Sequence, residues 1–237
     1  MTELQLIVFY SLLSGFTIFL GGLLSYFFGI YVKSGIIKAE INHISIAFGG
    51  GILMAAVALV LIPEGMNALS LTSTTISFLT GAIAFFFIDR YIEKKGGTMA
   101  QLLGMVSDFI PESIAMGAVF LENSQLGILL AIIIGVQNLP EAFNAYLDLK
   151  SKYSPKKCLL ILFFLSFFGV ASALTGYYFL SGMPKSIGAL MLFSSGGIIY
   201  LIFQDIAPLS KLKKSWIPAL GACIGFLVGM IGVKLLG

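Results

Sequence analysis

Ser107-Asp108-Phe109-Ile110-Pro111-Glu112 and Val136-Gln137-Asn138-Leu139-Pro140-Glu141 are the two stretches on which the reading of this chain turns. Each lies near the middle of an apolar window, roughly 100–122 and 125–148, built otherwise of Leu, Ile, Ala, Gly, Val and Phe. Both follow the pattern polar-x-x-Pro-Glu. On a helix, positions i and i+4 share a face, so Asp108 with Glu112, and Gln137 with Glu141, each send two oxygen-bearing side chains in one direction. Facing each other, the two pairs would make a four-ligand cation site.

The prolines belong to the same reading. Inside a helix, proline removes a backbone hydrogen bond and clashes with the carbonyl one turn earlier, here those of Ser107 and Val136. Irregular helix at membrane depth survives where it lines a polar cavity, so an interruption near each acidic pair is the expectation. An ionised acid at the bilayer centre costs roughly 2.5–3.5 kcal/mol, so Asp108, Glu112 and Glu141 together cost roughly 8–10 kcal/mol if charged and unpaired. Neither window holds a Lys or Arg to offset them. Protons or a bound cation must do so. The blander reading makes the prolines ordinary kinks and the acids protonated packing residues, but two copies of the pattern at matching depth argue against it.

The composition fixes the class. Of 237 residues, 58% are hydrophobic and 11% charged, against about 25% charged in an ordinary soluble domain. This is a polytopic membrane protein, and a nucleic-acid role has no support. Cys158 and Cys223 stand in or beside apolar segments, far from any C-x-x-C spacing, and read as small apolar residues. His43 is the single histidine, which excludes a zinc enzyme site built on several imidazoles. Beside Asn42, it reads as an interfacial residue. The apolar run from Leu4 to about Val32 is too long for a cleaved signal peptide and is expected to remain as a first helix. The whole chain, 1–237, is read as one transmembrane domain.

A hydrocarbon core of about 30 Å needs about 20 apolar residues in a helix. That ruler finds eight segments, near 4–31, 44–64, 72–92, 100–122, 125–148, 157–181, 186–208 and 215–236. Basic residues mark cytoplasmic loops. Lys33 and Lys38 follow the first helix, Arg90, Lys94 and Lys95 the third, Lys150, Lys152, Lys156 and Lys157 the fifth, and Lys211, Lys213 and Lys214 the seventh. Only Lys185 and Lys234 fall on the other side. Both termini are therefore expected outside, which requires an even number of helices. Trp216 suits an interfacial anchor.

The second and seventh segments are alike. Phe48-Gly49-Gly50-Gly51-Ile52 runs to Pro63-Glu64 and Phe193-Ser194-Ser195-Gly196-Gly197 runs to Pro208, with fifteen residues from Phe to Pro in both. Under the charge-derived topology they run in opposite directions. The expected fold is thus all-α, an inverted repeat of helices one to three and six to eight around a central pair, four and five. Most of the 27 glycines read as close helix contacts. Asp205, after Gln204 and ahead of Pro208, is a further buried-acid candidate, or an interfacial acid at the cytoplasmic end.

With eight helices, outside termini and two central Pro-Glu helices, the chain resembles the ZIP family of divalent metal transporters, as a divergent member. The family's fourth helix carries His-Asn-x-Pro-Glu-Gly, matched here by Asp108-Phe109-Ile110-Pro111-Glu112-Ser113, with Asp in place of His and Phe in place of Asn. Its fifth helix carries His or Gln, Asn or Asp, then x-Pro-Glu, which Gln137-Asn138-Leu139-Pro140-Glu141 fits throughout. Ser172 replaces a sixth-helix Glu, and Asp205-Ile206-Ala207-Pro208 follows a seventh-helix acid-x-x-Pro pattern. Pro63-Glu64 is family-like, whereas the short Glu93-Lys94-Lys95-Gly96-Gly97 loop has no histidines.

The resemblance implies a secondary carrier moving zinc, iron or manganese into the cytoplasm across the cell membrane by alternating access, usually as a homodimer. Neither an enzymatic activity nor an organic cofactor is implied. It carries metal ligation to Asp108, Glu112, Gln137 and Glu141, with Asn138, Ser172 and Asp205 as further ligand or pathway residues. Phe109 cannot ligate, so one metal is the simpler expectation. Oxygen donors without imidazole favour manganese or ferrous iron more than a histidine site does. Two other readings are a metal-binding sensor without transport and an intramembrane hydrolase using Asp108 and Asp205. The second leaves the Pro-Glu pairs without a role. A cysteine placed near Lys156 is expected to label only from the cytoplasm and one near Pro184 only from outside; labelling of both from one side would overturn the eight-helix topology.

Overall fold

The computed structural model describes residues 2–32, 35–95, 100–213 and 215–236. Among them, eight helices are long and apolar enough to cross a membrane: α1 (Glu3–Tyr31), α2 (Ile36–Ala68), α3 (Leu71–Lys94), α4 (Leu102–Val119), α5 (Ser124–Lys150), α6 (Pro155–Leu180), α7 (Pro184–Ser210) and α8 (Ile217–Leu236). The chain is an all-helical, multi-pass membrane protein. Lys33, Lys214, Gly96 and Gly97 lie outside the described residues, as does the side chain of Lys95.

The bounds follow the hydropathy ruler except at α2, which starts at Ile36, well before the expected position 44. Lys38, Glu40 and His43 therefore sit on its first turns rather than in a loop. The ruler measures hydrocarbon, whereas backbone hydrogen bonding continues into the interface, where charged side chains stay solvated. His43 Nδ1 pairs with the Leu209 carbonyl at 2.8 Å and ties the start of α2 to the end of α7.

Helix irregularities are not where the central prolines would put them. Both α4 and α5 run on through Pro111 and Pro140. Instead, α2 and α7 each contain a five-residue π-helical segment, Val57–Leu61 and Ile202–Ile206, just before Pro63 and Pro208. The widened turn accommodates the carbonyl that the proline ring would otherwise strike. The two segments stand at the same distance after Phe48 and after Phe193. A third irregularity divides α6 at Ser166–Phe167 into Pro155–Leu165 and Phe168–Leu180.

Small residues decide the packing. On α1 the buried stripe Ser11, Ser14, Gly15, Ile18, Gly21, Gly22 and Ser25 recurs at helical spacing and faces α5 and α6. Lipid tails are as apolar as Leu, so helices in a bilayer associate through close backbone approach rather than through expulsion of water. In the α4–α6 contact, a Cβ on Gly117 would fall on the Ala173 carbonyl oxygen and one on Gly176 on the Ile114 carbonyl oxygen. Phe109, fully buried, lays its ring on Gly169, whose added Cβ would lie 2.6 Å from Cζ. In the resulting arrangement α1, α4, α5 and α6 pack on one another, α2 pairs with α8 and α3 with α7. The two sets meet where α2 lies on α5 and α4 on α7.

This packing makes a local prediction. Gly117→Ala is expected to lower stability by about 1–3 kcal/mol through overpacking. Gly104→Ala, with nothing within 4 Å of its added Cβ, is expected to be neutral or stabilising because alanine favours helix. Thermal unfolding in detergent compares them, and equal melting temperatures would contradict the close α4–α6 contact.

Candidate cation site

Asp108 and Glu112 of α4 are 3% and 1% exposed, and Gln137 of α5 is fully buried. Continuous helix through Pro111 and Pro140 keeps the i, i+4 geometry intact, so each pair does share a face. The two helices pack together, and the contact is direct: Gln137 Nε2 donates to Glu112 Oε2. An amide donor can hold a carboxylate oxygen, but it cannot balance its charge.

The remaining oxygens stand out. Glu112 Oε1, Gln137 Oε1 and both carboxylate oxygens of Glu141 are covered and have no hydrogen-bond partner. A buried polar atom without a partner costs about 1–3 kcal/mol, more when charged. Such orphans gathered on two touching helices are therefore a costly arrangement that a ligand would relieve. Asp108 is differently placed, with Oδ1 accepting from the Phe109 N–H at 2.8 Å. The three carboxyl groups lie within electrostatic reach of one another. Among the described residues, however, no three His, Cys, Asp or Glu side chains form a ready-made metal-binding group. The four expected ligands are thus brought to one place without being closed around one point.

A cavity of about 240 Å³ begins at Asp108 and Glu141, with Glu112 and Gln137 packed behind its lining. Asp108 and Glu141 line it with Asn144 of α5, Asp89 and Glu93 of α3, and Gln204 and Asp205 of α7. Its walls come from the first part of α2 and α4 and the last part of α3, α5 and α7, the ends that carry the basic loops. Towards the other end, the turns beyond Glu112 and Gln137 hold Met116, Ile133 and Ile134, all buried, with Leu53 and Val57 of α2 also in the core. The cavity thus lies towards the ends that carry the basic loops, and buried apolar side chains lie towards the other ends.

The secondary candidates separate. Asp205 lies in the π segment of α7, half-buried, on the cavity wall. Asn138 is fully buried, but its Nδ2 donates to the Ser14 carbonyl at 3.3 Å, so it ties α5 to α1. Ser172, 8% exposed, sits on the half of α6 that packs against α4. The carbonyl that gains a side-chain partner beside Pro140 is that of Pro140 itself, bonded by Asn144 Nδ2 at 2.8 Å. Asp108 and Asp205 share the cavity wall.

Asp89, Glu93 and Asn144 were not singled out in the sequence. Asp89 and Glu93 repeat the i, i+4 spacing of the central acids, but next to Arg90, Lys94 and Lys95 they read as part of a solvated end. Tyr200 Oη donates to Asp89 Oδ2 at 2.9 Å and holds α3 to α7 beside the cavity. The spacing was the available signal. No family model matches the chain, and no curated protein matches it, so a functional reading rests on this geometry and on the residues that carry the resemblance.

Proposed function

We propose that this protein is a secondary carrier for a divalent transition-metal cation, with Asp108, Glu112, Gln137 and Glu141 as the substrate ligands. The observation that supports this most directly is the set of unpartnered carboxylate and amide oxygens on α4 and α5, inside a membrane-spanning bundle, of which those of Glu141 border a cavity lined by further acids. A dication satisfies several such oxygens at once and offsets the charge that makes ionised acids costly in hydrocarbon. Asp205, with Asp89 and Glu93, would hand the ion along the cavity.

On this reading the basic loops would face the open end to the cytoplasm and both termini to the outside, which would make this an inward-facing state. Inward movement of a dication is favoured by about 4.6 kcal/mol per 100 mV of membrane potential. Alternating access would move α1, α4, α5 and α6 against α2, α3, α7 and α8, across the contacts of α2 with α5 and α4 with α7. The matched π segments in α2 and α7 support the inverted-repeat reading, because the same local device recurs at the same place in both halves. Cell-membrane location and a homodimer belong to the same proposal, through the ZIP resemblance.

Oxygen donors without imidazole favour manganese or ferrous iron relative to zinc, a tendency set by ligand hardness. Uptake of Mn²⁺, Fe²⁺ and Zn²⁺ into proteoliposomes tests the carrier reading. Saturable metal binding without uptake would leave the sensor reading in its place.

Two variants follow from the ligand set. Glu112→Gln and Glu141→Gln are each expected to abolish the rise in melting temperature that metal gives, while leaving the metal-free protein as stable or more so, since each removes a buried unpaired charge. Melting temperature against Mn²⁺ concentration reads this directly. Saturable stabilisation retained in both variants would remove α4 and α5 as the site. Asp108→His supplies an imidazole and is expected to shift competition towards zinc over manganese. An unchanged profile in folded, active protein would take Asp108 out of direct contact with the ion.

A further inference from the structure

The turn between α5 and α6 gathers positive charge in a way that the metal site does not use. From Leu149 to Lys157 the sequence is Leu-Lys-Ser-Lys-Tyr-Ser-Pro-Lys-Lys, with four lysines and no acid. The turn is ordered by backbone hydrogen bonds from Lys152 N and Tyr153 N to the Leu149 carbonyl, at 3.1 and 2.8 Å. It presents Tyr153 as a platform. Lys157 Nζ lies 4.4 Å from the centre of that ring and Lys152 Nζ 6.0 Å from it. Two exposed ammonium groups are thus drawn to one aromatic ring, where cation–π attraction partly offsets their mutual repulsion. An anion between them would offset the rest.

The helix below the lysines decides which anion. Lys156, Leu160 and Phe164 recur at i, i+4 and i+8, so they form one stripe along α6. Leu160 is 51% and Phe164 60% exposed, and the stripe continues into the exposed Phe167 and Phe168 at the break in the helix. Positive charge at the membrane surface above an uncovered apolar stripe at hydrocarbon depth fits an amphiphile with an anionic head. A soluble phosphate would use only the upper half. We propose that the Lys150–Lys157 turn is a binding site for an anionic phospholipid, with the headgroup phosphate at Lys152 and Lys157 and an acyl chain along Leu160 and Phe164. Because this turn joins the helix carrying Gln137 and Glu141 to the one carrying Ser172, the lipid would hold the inner ends of α5 and α6 at the leaflet surface. The proposal does not depend on what the chain transports.

The test uses the full-length protein in nanodiscs of phosphatidylcholine with increasing phosphatidylglycerol, read by lipid retained in native mass spectrometry and by melting temperature. Phosphatidylglycerol is expected to be retained and to raise the melting temperature, whereas glycerol 3-phosphate at the same concentration does neither. A basic residue near the surface contributes about fivefold to binding of anionic lipid, so Lys152→Gln with Lys157→Gln is expected to weaken retention about thirtyfold. Lys150 and Lys156 remain to hold the topology. Tyr153→Leu keeps every charge but removes the platform and is expected to weaken retention severalfold, so the test stands if the double variant does not fold. Unchanged retention in whichever of these variants fold, or equal stabilisation by glycerol 3-phosphate, would overturn the proposal. Metal-dependent stabilisation is expected to persist in both variants, which separates this site from the cation site.

Discussion

A carboxylate held in an apolar helix bundle needs a partner, and much of this structure is arranged around partners that are incomplete. Gln137 gives Glu112 one hydrogen bond across the α4–α5 contact and leaves its second oxygen, its own amide oxygen and both oxygens of Glu141 unpaired. Such atoms cost free energy in every state that lacks a ligand. The bundle sustains them because the helices that carry them are buried on nearly all sides by α1, α2, α6 and α7.

That packing depends on backbone proximity. Gly117 against Ala173 and Gly176 against Ile114 bring α4 and α6 close enough for Phe109 to fill the space beside Gly169. That ring is fully buried next to the cavity-lining Asp108, and the cavity itself lies between α2, α3, α4, α5 and α7. In the opposite direction Met116, Ile133 and Ile134 are buried in the apolar core.

The irregular helix lies in the surrounding elements rather than in the site. Pro111 and Pro140 sit inside unbroken helices, while the π segments before Pro63 and Pro208 take up the distortion in α2 and α7. Keeping α4 and α5 regular preserves the i, i+4 register that aligns Asp108 with Glu112 and Gln137 with Glu141. The π segment of α7 in turn carries Asp205 on the cavity wall.

Sequence alone determined the eight apolar spans, since a hydrocarbon slab imposes a length that can be counted and loops carry the charge that the slab excludes. It also determined which side chains share a face, because helical periodicity is a local property. Asp108, Glu112, Gln137 and Glu141 were legible on those grounds, whereas Asp89 and Glu93 were hidden by the basic residues around them. Tertiary structure decided what local rules cannot contain. It bonded Asn138 Nδ2 to the Ser14 carbonyl, packed Phe109 on Gly169, and set a π segment before Pro208 in α7 where helix runs on through Pro111 and Pro140. Each of these depends on which neighbouring helix lies within a few ångströms, and that distance follows from small residues meeting across the bundle, a pairing between positions remote in sequence.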